Sequence, residues 1–220
     1  SLRFVVEEMF PFVRKHLAEF IVAKKNDAAV LQACDLIRQE ASHAGFKNPS
    51  LNDPISELCA AVNYLMDRDA KTTGLKELQG MIWQSGFQSG NLIAHVYDEV
   101  PNCLQDWKSK GCDLRIYSSG SIAAQRLFFG HTKYGNLLPL FSAHYDTVIG
   151  GKKEAVSYTR IVADCGVSPG DVLFVSDIVE ELVAASSAGL QTLLSLRPEN
   201  HPQPANPFPA IRSFTEIQIA

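Results

Sequence analysis

The sequence predicts an α/β protein in which a parallel sheet covered by helices is joined to an all-helical segment. Three observations predict it. From Phe4 to about Trp107 the apolar residues recur at helical spacing. Past Gly111 short apolar runs alternate with helical stretches, and strands that alternate with helices pair in parallel through crossover connections. The period changes once, near Gly111; with the helix just before it counted with the core, a helical domain over residues 1–98 and an α/β core over residues 99–220 are expected.

In chain order, Phe4, Val5, Met9, Phe12, Val13 and Leu17 line one face of a first helix, and Val30, Leu31, Cys34 and Leu36 line a second. Asn26 and Asp27 supply the cap of the second helix. Lys47-Asn-Pro-Ser50 reads as a loop, and Leu51-Asn-Asp-Pro54 starts a third helix carrying Leu58, Val62 and Leu65. A fourth helix spans about 73–89, and a fifth runs from Glu99 or Pro101 to Lys110. Strands are expected at 114–117, 172–175 and 192–196, with helices at about 123–129, 154–165 and 179–188 between them. The proline-rich stretch 198–209 reads as a loop that leads to a short element near 214–219.

Composition narrows the function. The chain has 220 residues, 46% hydrophobic and 20% charged, which is the composition of a soluble globular protein rather than a disordered one. A net charge of -4 with scattered Lys and Arg gives no basic stripe, so no nucleic-acid partner is expected. The five cysteines are odd in number and show no C-x-x-C spacing, which argues against a disulfide framework or thiolate zinc site and for a reducing, cytoplasmic setting. No apolar run approaches the ~20 residues needed to span a bilayer, so no membrane partner is expected, and a monomer is the expectation.

Chemistry gathers where strands end. The strand at 114–117 runs into Ser118-Ser-Gly-Ser121 before a helix, so hydroxyls and free N–H groups collect where the helix dipole favours an anion. The alternative is that Ser119 or Ser121 only caps the helix. Gly150-Gly-Lys-Lys-Glu154 opens the next helix. A lysine there opposes the dipole, which points to an anion nearby, with Lys152 the better candidate; a solvated surface pair is the alternative, and Lys153 fits that description. Val172-Leu-Phe-Val-Ser-Asp177 is an apolar strand ending in an acid, a suitable hard-oxygen ligand for Mg2+ or, alternatively, a helix cap. Strand-Ser, Lys, strand-Asp are expected at one edge of one sheet, the carboxyl edge, where such sheets bind ligands.

That order resembles the later three motifs of the haloacid dehalogenase superfamily. Ile116-Tyr-Ser-Ser-Gly-Ser-Ile-Ala-Ala-Gln-Arg-Leu-Phe-Phe-Gly130, Tyr145-Asp-Thr147 with Lys152 and Ser157-Tyr158, and Lys71-Thr-Thr-Gly-Leu-Lys-Glu-Leu-Gln-Gly-Met-Ile-Trp83 look like the acireductone synthases, or enolase-phosphatases. The resemblance covers nearly the entire chain. It implies a Rossmann-like parallel core of haloacid dehalogenase type with an inserted all-helical cap. It also implies a small phosphorylated substrate, 2,3-diketo-5-methylthiopentyl-1-phosphate, which is enolised and dephosphorylated to acireductone in methionine salvage with Mg2+ as cofactor. By the same resemblance Ser118 and Ser119 contact the substrate phosphate, Lys152 neutralises it and steadies the nucleophile, and Asp177 ligates Mg2+. The stretch 71–80 resembles the cap segment that faces the active site, although Gln79-Gly80 and Trp83 fit a cap core equally well.

One departure is large. The family opens with a strand and an Asp-x-Glu-Gly-Thr loop whose Asp accepts the phosphoryl group, and this sequence opens at Ser1-Leu-Arg-Phe-Val-Val-Glu-Glu-Met-Phe-Pro11, which resembles the stretch after that loop. Glu7 and Glu8 fall on the first helix and read as a solvated face. Without a carboxylate nucleophile no aspartyl-phosphate forms, so the 220 residues are expected to be inactive as they stand, with the sheet short of its central strand. The first residue is Ser1 rather than Met, which fits a truncation, processing or a fusion. Two other readings stay open: a non-catalytic descendant that keeps the fold for binding, and a phosphatase of the same superfamily with another small phosphomonoester.

Overall fold

The computed structural model describes residues 4–47, 53–198 and 200–219. The chain divides between Ile93 and Ala94. The sequence reading placed the change at 98/99, but the stretch after Ala94 is bound into the second unit. The Ala94 N–H donates to the His131 carbonyl at 2.8 Å, and Asp98 pairs with Lys133 at 2.6 Å.

The first unit is helical. A π-helical turn, Val5–Met9, runs into helix α1 (Phe10–Ala23), which buries Val13, Leu17 and Ile21 at intervals of one turn. Helix α2 (Ala28–His43) starts at Asp27, whose carboxylate accepts from the N–H groups of Ala29 and Val30; these are donors that the helix itself cannot satisfy. Asp53 does the same for α3 (Pro54–Asp67), with Pro54 at its first position. The rest of the predicted Lys47–Pro54 connection, residues 48–52, lies outside the described residues. Helix α4 (Thr73–Gln88) packs closely on α2: a Cβ at Gly74 would lie 2.7 Å from that of Leu36 and 3.0 Å from backbone atoms of Ala33 and Ile37. The Trp83 indole donates to the Met9 carbonyl at 2.9 Å, tying α4 to the π-turn. Leu31, read as part of the apolar face, is instead 49% exposed, while Val30 beside it is buried.

The second unit has helices and parallel strands in alternation: α5 (Val100–Ser109), β1 (Arg115–Tyr117), α6 (Ile122–Gly130), β2 (Ala143–Tyr145), α7 (Ala155–Cys165), β3 (Leu173–Ser176), α8 (Val179–Ser187), β4 (Gln191–Ser195) and β5 (Ala210–Ile211). The parallel α/β class stands, with one correction: among the described residues there are two sheets, β1–β2 and β3–β4–β5, rather than one. No described strand pairs with the second edge of β1 or with the second edge of β3. Side chains link the two sheets instead. The ring of Tyr158 on α7 meets Tyr117 at the end of β1 edge-on (centroids 5.5 Å apart) and Phe174 on β3 (4.9 Å), an arrangement aromatic rings favour. Tyr158, Val162, Ala184, Ala185 and Leu190 form the core around them. The sequence reading missed β2 and β5. The expected final element near 214–219 is a single 3-10 turn, Phe214–Glu216, closed by Ser213 and Glu216 as a capping box.

All five cysteines are free thiols. No helix among the described residues is long and apolar enough to cross a membrane.

Candidate active site

The carboxyl ends of β1, β2 and β3 and the amino ends of α6, α7 and α8 carry the residues singled out from the sequence. After β1 the ladder continues one step, with the Ser118 N–H donating to the Tyr145 carbonyl at 3.1 Å. The Ser118 hydroxyl then accepts from the Gly120 N–H at 3.2 Å. Ser121 caps α6, accepting from the Ala124 N–H at 3.2 Å, so capping explains Ser121 but neither Ser118 nor Ser119. Asp146, just past β2, takes the Ile122 N–H at 3.2 Å. The backbone N–H groups of Ser119 and Ser121 and the hydroxyl of the exposed Ser119 have no partner among the described residues. The turn therefore offers donors next to a helix amino end.

Lys152 precedes α7 in a loop that three hydroxyls hold by its carbonyls: Tyr117 donates to Gly150 O at 2.9 Å, Ser157 to Gly151 O at 2.8 Å and Tyr158 to Lys152 O at 2.6 Å. Gly150 is required here. Its φ is +144°, and a Cβ would fall 2.2 Å from the Ser157 hydroxyl. Burial pushes the phenols of Tyr117 and Tyr158 up, so both remain donors at neutral pH. The protein itself places an anion beside Lys152: its Nζ lies 2.6 Å from Glu181 Oε2, and the Glu181 side chain is only 9% exposed. Lys153 pairs at the surface with Glu180 at 3.5 Å.

Glu181, in the first turn of α8, was not singled out from the sequence. Its Oε2 also accepts from the hydroxyl of buried Ser176 at 2.7 Å, the last residue of β3, and Ser176 accepts in turn from the Ile178 N–H at 3.1 Å. No local sequence signal marked it. An acid in a first turn is unremarked, because it suits the dipole.

Asp177 follows directly on this chain of contacts. Ile178 is the N-cap of α8 without a side-chain cap bond, so Asp177 is not the cap, and its carboxylate has no partner among the described residues. Lys152 and Ser176 thus meet through Glu181, Lys152 Nζ stands 5.8 Å over the Tyr117 ring, and Tyr117 and Ser176 are followed by Ser118 and Asp177. Ser118 and Asp177 stand at strand ends and Lys152 in the loop before α7, with no hydrogen bond or ion pair among the three. A partnerless carboxylate at a strand end suits Mg2+, which is held by one or two carboxylates and keeps several waters. The described residues contain no cluster of three or more His, Cys, Asp or Glu that could hold a metal unaided.

Comparison with known proteins gives a consistent picture. Residues 3–189 match the haloacid dehalogenase-like hydrolase family. The enolase-phosphatase E1 of Klebsiella pneumoniae is 40% identical over 217 residues, covering 99% of this chain and 91% of its own. That of Synechococcus elongatus is 42% identical over 218 residues, covering 97% and 91%. Among solved structures, the UTR4 protein of Saccharomyces cerevisiae superposes with a TM-score of 0.79 at 29% identity, over 99% of this chain and 94% of its own.

Proposed function

Because the chain belongs to the haloacid dehalogenase-like hydrolase family, we propose that it is an enolase-phosphatase acting on 2,3-diketo-5-methylthiopentyl-1-phosphate in methionine salvage, in the cytoplasm. The observation that carries this reading is the 40% identity to an enolase-phosphatase over 217 residues, a span that runs through both units.

In this reading the helical unit serves as the cap domain. Ser118 and Ser119 hold the phosphate with the free N–H groups of their turn. Lys152 balances its charge, and Glu181 keeps the Lys152 ammonium in place, so the cation is positioned before substrate arrives rather than reorganised during reaction. Asp177 would ligate Mg2+, which supplies charge stabilisation at the phosphoryl oxygens. The sequence holds no Asp-x-Glu-Gly-Thr run, so the accepting carboxylate is assigned to a segment outside these 220 residues. Among the described residues one edge each of β1 and β3 is unpaired, which suits a further parallel strand that would bring it to the same sheet edge. Attack by that carboxylate on phosphorus would release the substrate alcohol once its oxygen is protonated, and water would then hydrolyse the aspartyl-phosphate.

The test is phosphate release from the diketo phosphate by the full-length gene product with Mg2+, alongside Lys152→Met and Asp177→Asn. Release that both substitutions suppress is expected. No release from the unmodified protein would overturn the assignment, and far faster release from another phosphomonoester would change the substrate.

A further inference from the structure

We propose that Gln125, aligned by His144, is the positioning residue that shapes the Ser118–Gly120 turn to receive an oxyanion, an inference that rests on the phosphatase reading above. Gln125 lies on α6 and is only 5% exposed. Its Nε2 donates to two backbone carbonyls, Gly120 O at 2.9 Å and Tyr145 O at 2.8 Å. The second of these also accepts from the Ser118 N–H. One amide therefore joins the turn after β1 to the end of β2 at the step where the ladder gives way to loop.

Chemistry fixes which way the amide points. With the group reversed, its oxygen would face two carbonyl oxygens, three acceptors with no proton among them. With Nε2 toward the carbonyls, Oε1 faces His144 Nδ1 at 3.2 Å. An amide oxygen only accepts, so the His144 proton is on Nδ1. His144 is held by Phe141 and Phe129, at centroid distances of 5.8 and 6.4 Å.

The consequence concerns charge. A carbonyl oxygen that faces a phosphate repels it, whereas an N–H attracts it. By occupying Gly120 O, Gln125 keeps that oxygen turned toward α6 and leaves the N–H groups of Ser119 and Ser121 as the free polar groups of the turn. Removing the amide leaves Gly120 O without a donor and Tyr145 O with only the Ser118 N–H, and releases the turn to rotate its peptide planes, without removing any group that touches the anion.

Inorganic phosphate titrated calorimetrically into the full-length protein with Mg2+ provides the test, with Gln125→Met as the variant because it keeps the length and loses both donors. Phosphate affinity is expected to fall about tenfold, the size of one lost buried hydrogen bond, with faster amide exchange at Ser118 and Gly120, whose N–H groups are bonded at the turn, and a raised KM at little-changed kcat. A purely structural role would lower the thermal midpoint and leave the dissociation constant alone. An affinity within about twofold of the unmodified protein, the scatter to be expected of near-neutral substitutions, overturns the proposal and leaves the phosphatase reading intact. If Gln125→Met does not fold, His144→Phe decides. It preserves the ring packing and removes the proton donor, so a loss of about threefold is expected, and an unchanged affinity counts against the proposal. Failure of the unmodified protein to bind phosphate at all would sink both readings together.

Discussion

The two units bury different things. In the helical unit the buried side chains are almost all apolar, and Gln79 is its single buried polar residue among those described; in the α/β unit Gln125, Thr132, Ser157, Ser176 and Glu181 are all buried. Burying a polar group costs free energy unless it is fully hydrogen-bonded. The α/β unit meets that cost at its strand ends, where Gln125, Ser157, Ser176 and Glu181 each bond a loop or a charged group next to a candidate site residue. One unit is held by shape and the other, at its functional edge, by partners. Substitutions should therefore hurt the two units through different physics.

The largest effect is expected at Glu181→Ala, which leaves Lys152 as a partly buried charge without its carboxylate. Breaking such a pair costs about 3–5 kcal/mol, measurable by denaturant unfolding. The double change Lys152→Met with Glu181→Leu should recover most of that stability and no phosphatase activity; full stability in the single variant would remove the contrast. Next comes Gly74→Ala in the helical unit, where a methyl 2.7 Å from Leu36 Cβ must push α2 and α4 apart at a cost of about 1–3 kcal/mol. Its thermal midpoint should fall while phosphate affinity in the α/β unit stays the same. Asp27→Ala, which removes a helix cap, should cost about 1 kcal/mol by the same melting assay.

The smallest effect is on pH dependence. Burial opposes ionisation of Glu99, but its hydrogen bond and ion pair with Arg197 outweigh it and the carboxyl is held below its usual value. A depressed carboxyl contributes stability above the unfolded value near ~4.3, and that contribution is lost as pH falls through the lower folded value. The midpoint of the unmodified protein should decline in this acid range, and Arg197→Met should show a shallower decline. Equal slopes would mean that the pair adds nothing.

The same contrast explains how much was legible in the sequence. The helices of the first unit follow from the spacing of residues such as Met9, Val13 and Leu17, because shape-driven packing leaves a period behind. Strands β3 and β4 could be read because each is an apolar run flanked by turns. Ala143-His-Tyr145 is too short to carry a period, and β5 has two residues inside a proline-rich tail. The split into two sheets was invisible because pairing between distant strands has no local trace. Ser118, Lys152 and Asp177 were picked out by where they stand relative to strand ends. Glu181 and Gln125 were not, since a polar residue on a helix reads as solvated until its burial is known.

Tyr158 has a mechanical consequence. Its ring touches Tyr117 at the end of β1 and Phe174 on β3, while its hydroxyl donates to Lys152 O at 2.6 Å. One side chain therefore braces the end of β1, the core beside β3 and the loop that carries Lys152. A change at this one position would displace the Ser118 turn and the Lys152 loop together, because both lean on the same ring.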